Sequence, residues 1–160
     1  MVRESVGELT ESVRRANQQL DRAGLVLLTF GNVSAIDREK AVVAIKPSGV
    51  PYASLRREDI VLCDMAGKSI ESGLRPSSDL PTHLALYRAF PAIGAVVHTH
   101  STFATAFAQA RLSLPCMGTT HADFFRGEVP VTDAMSAAEI AKDYEANTGA
   151  VIVRKFTELG

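Results

Sequence analysis

Helical and strand periods of apolar residues follow one another along the N-terminal part of the chain. Over residues 2–23 apolar residues recur every three or four positions among Arg, Glu and Gln, which predicts an amphipathic helix. Gly24 is placed to end that helix. The apolar run Leu25–Phe30 predicts a short buried strand. Gly31–Ser34 is then expected to break this strand with a turn.

The rest of the chain continues as short strands between helices. Up to residue 71 the predicted elements are a strand over 41–46 stopped by Pro47-Ser48-Gly49, a helical turn over 54–59, and a hairpin of strands 60–63 and 69–71. A helix from about Asp79 to Phe90, a buried strand over 93–101 and a helix over 102–110 follow. The last predicted elements are strands over 112–117 and 129–131, a helix that is capped by Ser136 and Glu139, reaches Asn147 and is ended by Gly149, and a strand over 150–153. Short turns join several of these strands, so helical crossovers cannot connect them in parallel. The pattern therefore predicts an α/β fold with a largely antiparallel or mixed sheet and helices packed on it, in one domain over residues 1–160.

Composition narrows the class of protein. The 160 residues are 46% apolar and 22% charged with a net charge of −1, which indicates a soluble globular domain without the field that nucleic acid or anionic membranes require. Apolar runs of about five or six residues are too short to span a membrane, and the N-terminus has no secretory signal. Cys63 and Cys116 form no CxxC pair and are expected to pack rather than bridge. These features together predict a cytoplasmic protein.

Two histidines end the apolar strand over 93–101. His98 and His100 are two residues apart, so on a strand they point to the same face. Two imidazoles on one face can both reach one metal ion. From this stretch alone, a pair of hydrogen-bonded histidines at a strand end is an equally good interpretation.

A third metal ligand has to come from elsewhere, because zinc in catalytic sites usually takes three protein ligands. Asp79 is the best candidate, since it lies at the start of the helix before the histidine strand. Its alternative role is the N-cap of that helix. His83 is predicted on the helix body, as a structural residue or as a support for the ligands.

Three loops have the composition of phosphate-binding loops. They are rich in small residues and hydroxyls, which can present backbone N–H groups to an anion: Gly31-Asn32-Val33-Ser34, Pro47-Ser48-Gly49 and Ser77-Ser78-Asp79. Each taken singly is more often only a turn. Lys46 could add a charge to the same anion, or could be a solvated lysine at a strand end.

A polar cluster with apolar flanks lies at residues 119–123. It contains His121 and Asp123. Asp123 could serve as a general base, and a local hydrogen-bonded turn is an equally good interpretation of these residues alone.

Five motifs together resemble a known family. GNVSAID, IKPSGVPY, RPSSDLPTHLALYRAFP, AVVHTHS and GTTHADFF occur in the order and spacing of the class II (zinc-dependent) sugar-phosphate aldolase/epimerase family. The resemblance runs from about residue 5 to the end of the chain and is nearest to the pentulose-phosphate 4-epimerases of the family. It implies a layered α/β/α fold with a mostly antiparallel central sheet. It also implies a homotetramer with active sites between subunits.

The resemblance also implies residue roles. It assigns Asp79, His98 and His100 to Zn²⁺ or another divalent metal, and it assigns to the sugar phosphate Gly31, Asn32, Lys46, Ser48, Gly49, Ser77 and Ser78. It makes Asp123 a catalytic acid/base that acts on a substrate in the neighbouring subunit. The family's aldolases carry Glu where Asp79 stands, so the implied activity is that of an epimerase.

The implied reaction interconverts L-ribulose 5-phosphate and D-xylulose 5-phosphate by zinc-assisted retro-aldol and aldol steps. The alternatives are a class II sugar-phosphate aldolase and a non-catalytic domain of the same fold. Family members supply a third zinc histidine and an acid/base tyrosine from a C-terminal segment, whereas here no histidine follows His121 and no tyrosine follows Tyr144. The expectation is therefore that this chain corresponds to the first two thirds of such an enzyme. Alone, it is expected to be marginally stable and inactive.

Overall fold

The computed structural model describes residues 2–71 and 73–159. In chain order its elements are α1 (Val2–Arg22), β1 (Asn32–Asp37), β2 (Val42–Ile45), 3₁₀ turns at Tyr52–Ser54 and Arg57–Asp59, β3 (Val61–Asp64), β4 (Ser69–Glu71), α2 (Leu80–Ala89), β5 (Ala95–His98), α3 (Thr102–Gln109), α4 (Thr119–Ala122), α5 (Ala137–Ala141) and α6 (Tyr144–Leu159). The amphipathic helix at the N-terminus, the hairpin of β3 and β4, and the helices α2 and α3 lie where the sequence predicts them. No helix in the described ranges is long and apolar enough to cross a membrane.

The five strands form one sheet in the order β4-β3-β2-β1-β5, and each neighbouring pair is antiparallel. This confirms the predicted antiparallel sheet. β1 pairs along both of its edges, with β2 on one side and β5 on the other. In the β1–β5 pairing Asn32 lies opposite His98. That register brings the GNVSAID and AVVHTHS motifs together.

Helices cover both faces of the sheet, as the predicted α/β/α layering requires. Val43 and Ile45 of β2 face α2, where they pack with Leu84 and Tyr87 in one buried cluster. Successive residues of a strand point to opposite faces, so Ala44 packs on the other side, in the cluster that contains Val13 of α1. Helix α6 packs on α2 from outside. The core therefore holds α2 firmly against β1 and β2.

The strand predicted over residues 25–30 is wrong. Leu27 and Phe30 form only a single bridge, and Leu28 adopts a positive φ of 55° with 77% of its surface exposed. Both edges of β1 are already occupied by β2 and β5, so this segment cannot pair with β1, the strand that follows it in the chain. The turn predicted over Gly31–Ser34 is also wrong, because Asn32, Val33 and Ser34 already belong to β1.

The strand that ends at the histidines is shorter and less buried than predicted. β5 stops at His98, and it forms the edge of the sheet. Its residues alternate between exposed and half-buried positions, with Val97 57% exposed. An apolar run therefore indicated the strand correctly but not its position at the edge.

The C-terminal region differs most from prediction. Residues 112–117 and 129–131 form only the isolated bridge between Leu114 and Val129. The predicted strand at 150–153 lies inside α6, which runs through Gly149. A Cβ at Gly149 would come within 2.7 Å of Ala85 Cβ, so this glycine lets α6 approach α2 instead of ending a helix.

The Ser136–Glu139 capping box is confirmed, although its helix, α5, ends at Ala141 and not at Asn147. Helices α3, α4 and α5 contain no buried residue. Of the two free cysteines, Cys63 is buried as expected, whereas Cys116 is exposed and the expectation that it packs is wrong.

Candidate functional site

One cavity of about 320 Å³ lies where β1, the N-terminus of α2 and the end of β5 meet. The family resemblance assigns a role at the site to eleven residues, and ten of them line this cavity. They are Gly31, Asn32, Lys46, Ser48, Gly49, Ser77, Ser78, Asp79, His98 and His100. Two larger grooves lie along α1, and neither contains any of these ten residues.

Backbone hydrogen bonds hold two of the loops side by side. The N–H of Ser48 donates to the carbonyl of Arg75 at 3.0 Å, and the N–H of Ser77 donates to the carbonyl of Lys46 at 3.0 Å. Pro47 and Pro76 form an antiparallel bridge between these contacts. The Pro47–Gly49 turn and the serines that precede α2 therefore form one wall of the cavity.

The Gly31 turn brings the third loop to the same place. Gly31 has a φ of +96°, and a Cβ there would lie 3.0 Å from the His98 carbonyl and 2.7 Å from Val26. A side chain is therefore excluded on both conformational and steric grounds. The hydroxyl of Tyr52 donates to the Gly31 carbonyl at 2.6 Å and fixes the turn from below. Burial raises the pKa of Tyr52 to about 12, so this hydroxyl stays a donor.

Asp79 is held by three side-chain hydrogen bonds in the cavity. Its Oδ2 accepts hydrogen bonds from Asn32 Nδ2 at 2.6 Å, from His98 Nδ1 at 2.9 Å and from Ser77 Oγ at 3.4 Å. The hydrogen bond with His98, aided by the one from Asn32, lowers the pKa of Asp79 to about 2 despite its burial. Asp79 occupies the N-cap position of α2 but makes no side-chain capping bond. Its carboxylate instead accepts hydrogen bonds from Asn32 and His98 inside the cavity.

The two histidines lie next to each other. Their ring centroids are 4.9 Å apart, and Phe30 flanks His100 with centroids 5.8 Å apart. Two imidazoles that bind one zinc ion at the usual Zn–N distance have centroids roughly 5 Å apart. The pair fits a divalent metal in both chemistry and spacing. Because His98 uses Nδ1 on Asp79, its Nε2 is the nitrogen left for a metal, as in carboxylate–histidine–metal arrangements.

A third metal ligand is not arranged as closely as the histidine pair. In the described part of the chain, no group of three His, Cys, Asp or Glu side chains is arranged to hold a metal ion. The structure brings Asp79, His98 and His100 into one cavity, with the carboxylate turned toward the first histidine. Asp79 as a direct ligand stays a prediction.

Lys46 is buried in the cavity wall and is not the solvated lysine of the alternative interpretation. It is 2% exposed, and its Nζ lies 4.7 Å from the centre of the Tyr52 ring. Its hydrogen bond is a long one, 3.4 Å to the Pro47 carbonyl. Burial lowers the pKa of Lys46 from its ordinary value. Of the residues that line this cavity, it is the only lysine or arginine.

A buried polar network supports the cavity from beneath. The Ser34 hydroxyl lies 2.7 Å from His83 Nδ1 and 2.7 Å from the Tyr87 hydroxyl. Burial lowers the pKa of His83 to about 4, so the ring that shares a hydrogen bond with Ser34 is neutral. His83 is therefore a buried residue beneath the cavity, in agreement with the supporting role predicted from its position on α2.

Asp123 does not line the cavity. It is exposed at the C-terminal end of α4, beside Phe124, which is 88% exposed. His121 Nε2 donates to the Gly127 carbonyl at 2.8 Å, which agrees with the local turn considered for this segment. Residues that the sequence did not single out complete the site, namely Thr29 and Phe30 on the cavity wall and Tyr52 behind it. Of these three, only Tyr52, at the end of IKPSGVPY, lies in a family motif.

Comparison with known proteins finds a matching family and similar proteins. The family described as Class II Aldolase and Adducin N-terminal domain matches residues 11–156. L-ribulose-5-phosphate 4-epimerase UlaF of Salmonella paratyphi C (strain RKS4594) is 55% identical over 152 residues, which are 95% of this chain and 67% of that protein.

Two solved structures share the fold. One is an L-fuculose 1-phosphate aldolase that is 30% identical, with a TM-score of 0.78 over 91% of this chain and 67% of that chain. The other is the L-fuculose-1-phosphate aldolase from Thermus thermophilus, which is 25% identical, with a TM-score of 0.67 over 86% and 69%. This chain thus spans about two thirds of the length of the UlaF relative and of the first of these aldolases.

Proposed function

We propose a function from one premise, which is that this chain belongs to the Class II Aldolase and Adducin N-terminal domain family. The proposed activity is the interconversion of L-ribulose 5-phosphate and D-xylulose 5-phosphate by inversion at C4. The observation that carries it is the clustering of ten residues from four separate segments around one cavity. A relative that is 55% identical bears the name of this epimerase.

The phosphate of the substrate is proposed to bind between Lys46 and the paired loops. A buried ammonium next to backbone N–H groups and hydroxyls gives charge-assisted hydrogen bonds to an anion. Ser48, Gly49 and Ser78 lie on the cavity wall beside Lys46, and Ser78 precedes the ten-residue helix α2. The positive end of the helix dipole adds to the attraction.

A divalent metal, zinc in the first instance, is proposed to bind His98 and His100 with support from Asp79. Bound there, it would supply Lewis-acid stabilisation of negative charge on the carbonyl side of the substrate. His98 is held for this task by its Nδ1 contact with Asp79, whose low pKa keeps the carboxylate charged. The phosphate loops keep the two halves of the substrate together while C4 is inverted.

The reaction needs bond cleavage because the C4 proton is not acidic when the carbonyl is at C2. A base first takes the proton of the C4 hydroxyl, and the C3–C4 bond then breaks to give a three-carbon enediolate and glycolaldehyde phosphate. Rotation of the aldehyde before the bond re-forms gives the other epimer. We propose Asp123 as an acid/base for a neighbouring subunit of a homotetramer. Two exposed apolar side chains close to it in the sequence, Phe124 and Met117, support a subunit contact there.

A class II sugar-phosphate aldolase is the second candidate, because a 30% identical protein of the same fold is an L-fuculose 1-phosphate aldolase. An aldolase would release the two fragments instead of rejoining them. A non-catalytic domain of the same fold is the third candidate. The three differ in what they produce from L-ribulose 5-phosphate.

The test measures the products of L-ribulose 5-phosphate with Zn²⁺ present. Because this chain spans two thirds of the UlaF relatives, the assay uses both residues 1–160 and a fusion of this chain to the last third of a UlaF relative. The fusion is expected to form D-xylulose 5-phosphate, and residues 1–160 alone are expected to form none. Accumulation of dihydroxyacetone and glycolaldehyde phosphate would favour the aldolase. A folded, zinc-loaded fusion without either product would refute both enzymes.

A further inference from the structure

Tyr52 lies behind the cavity wall and contacts two parts of the predicted phosphate site. It is buried, and its hydroxyl donates to the Gly31 carbonyl at 2.6 Å and lies 3.1 Å from the Phe30 carbonyl. Its ring faces Lys46, whose Nζ is 4.7 Å from the ring centre. One side chain therefore adjoins both the Gly31 turn and the only lysine among the residues that line the cavity.

The ammonium of Lys46 has few partners. It has three hydrogens to donate, and its hydrogen bond to the Pro47 carbonyl is a long one of 3.4 Å. In the described part of the chain no carboxylate pairs with it, and burial, which disfavours a charged group, lowers the pKa of Lys46. The face of an aromatic ring carries partial negative charge and attracts a cation within about 6 Å of its centre. The Tyr52 ring is therefore the group that offsets the lost hydration of this ammonium.

An uncharged ring suits this position better than a carboxylate would. A carboxylate beside Lys46 would cancel the charge of the ammonium and repel a phosphate. A ring face stabilises the ammonium and leaves its net positive charge available to an anion. Because burial raises the pKa of Tyr52 to about 12, its phenol stays uncharged.

Contacts at both ends of Tyr52 fix the ring. Its backbone begins the 3₁₀ turn Tyr52–Ser54, and Gln18 Nε2 of α1 donates to its carbonyl at 3.2 Å. At the other end the hydroxyl is held by the carbonyl of Gly31, a residue at which the fold excludes a side chain. The ring is thus held between α1 and the Gly31 turn, and Lys46 lies over its face.

We propose that Tyr52 is a positioning residue for the substrate phosphate, because its ring face holds the Lys46 ammonium charged and in place at the cavity wall. The role rests on the proposed function, in which Lys46 binds that phosphate. Tyr52 acts through Lys46 and does not touch the phosphate. Its hydroxyl serves to fix the ring.

The test measures the affinity of residues 1–160 for inorganic phosphate by calorimetry. Tyr52→Leu, which removes the ring, is expected to weaken binding roughly 5- to 30-fold, the effect of losing a desolvated cation–π contact. Tyr52→Phe, which keeps the ring and removes the hydroxyl, is the matched control and is expected to bind phosphate with an affinity close to that of the wild type. Equal affinities in Tyr52→Leu and Tyr52→Phe would overturn the proposal.

Fluorination tests the ring face while the shape of the ring is kept. Fluorine withdraws negative charge from the face of the ring, so successively fluorinated phenylalanines at position 52 are expected to bind phosphate more weakly with each fluorine added. This series keeps the proposal testable if Tyr52→Leu does not fold. An affinity that does not depend on fluorination would refute the role of the ring.

A double-mutant cycle with Lys46→Met separates positioning from general damage to the fold. If Tyr52 acts through Lys46, then Tyr52→Leu has no further effect on phosphate affinity in a Lys46→Met background. The same loss in both backgrounds would show a merely structural role and would count against the proposal.

The outcomes also separate this role from the proposed function. Weaker phosphate binding in Lys46→Met, together with unchanged binding in Tyr52→Leu, would exclude the role of Tyr52 alone. Equal phosphate affinity in Lys46→Met and wild type would contradict the proposed function itself, in which Lys46 is the cation that binds the phosphate.

Discussion

The buried His83 makes the stability of the fold depend on pH between 5 and 8. Its pKa is about 4 in the folded chain, against an ordinary value of 6.5, because burial disfavours the charged ring. Between these two values the unfolded chain binds a proton that the folded chain does not. Folding stability due to His83 is therefore fully present above pH 6.5 and is lost as the pH falls toward 4. Linkage gives a loss of about 2 kcal/mol between pH 8 and pH 5.

Urea unfolding followed by circular dichroism at pH 8 and pH 5 measures this loss. The midpoint is expected to fall by about 1 M in the wild type, since a domain of this size has a urea slope near 2 kcal/mol/M. His83→Gln removes the titrating ring and is expected to abolish most of that difference, although it also lowers stability at pH 8. His121→Gln, far from the buried network, is the matched control and keeps the wild-type difference. Asp79, with a pKa of about 2, loses its contribution only below pH 4. An equal pH dependence in His83→Gln and wild type would refute the reasoning.

Other predictions concern the packing that shapes the site. Gly149→Ala places a Cβ 2.7 Å from Ala85 Cβ, so it is expected to destabilise the fold by about 1 to 2 kcal/mol in urea despite the better helix propensity of alanine. Gly7→Ala in α1, with no contact shorter than 3.8 Å, is the control and is expected to stabilise by about 0.5 to 1 kcal/mol; equal effects at the two glycines would contradict the packing argument. Tyr52→Phe leaves the Gly31 carbonyl without its closest donor and is expected to cost about 1 kcal/mol, so an unchanged urea midpoint would show that the Gly31 turn does not depend on this bond.

The sequence predicted the sheet and the contents of the cavity because both depend on short-range patterns. Alternating apolar residues and turn signals located β2 and the β3–β4 hairpin. The family motifs identified Gly31, Lys46 and His98 as site residues, and the fold brings them into one cavity. The contacts Asn32–Asp79 and Ser34–His83 were not predictable, because they depend on the register between β1 and α2, which neither element determines alone.

The errors arose where tertiary packing overrode local pattern. Residues 25–30 have the composition of a strand, but both edges of β1, the strand that follows them in the chain, are occupied by β2 and β5. Gly149 has the pattern of a helix end, whereas its lack of a side chain serves the contact between α6 and α2. Lys46 has the sequence position of a surface residue at a strand end, and only the loops folded over it show that it is buried.

Binding of a sugar phosphate beside a divalent metal in this cavity is the property on which the proposed function depends. The most direct test is a calorimetric titration of L-ribulose 5-phosphate into zinc-loaded residues 1–160. Saturable binding is expected in the wild type and in Arg57→Met, which removes a cation from the two grooves along α1. Lys46→Met is expected to weaken it about 10- to 100-fold, since it removes a charge-assisted hydrogen bond in the cavity. Equal affinity in Lys46→Met and wild type, or a loss confined to Arg57→Met, would contradict the proposed site.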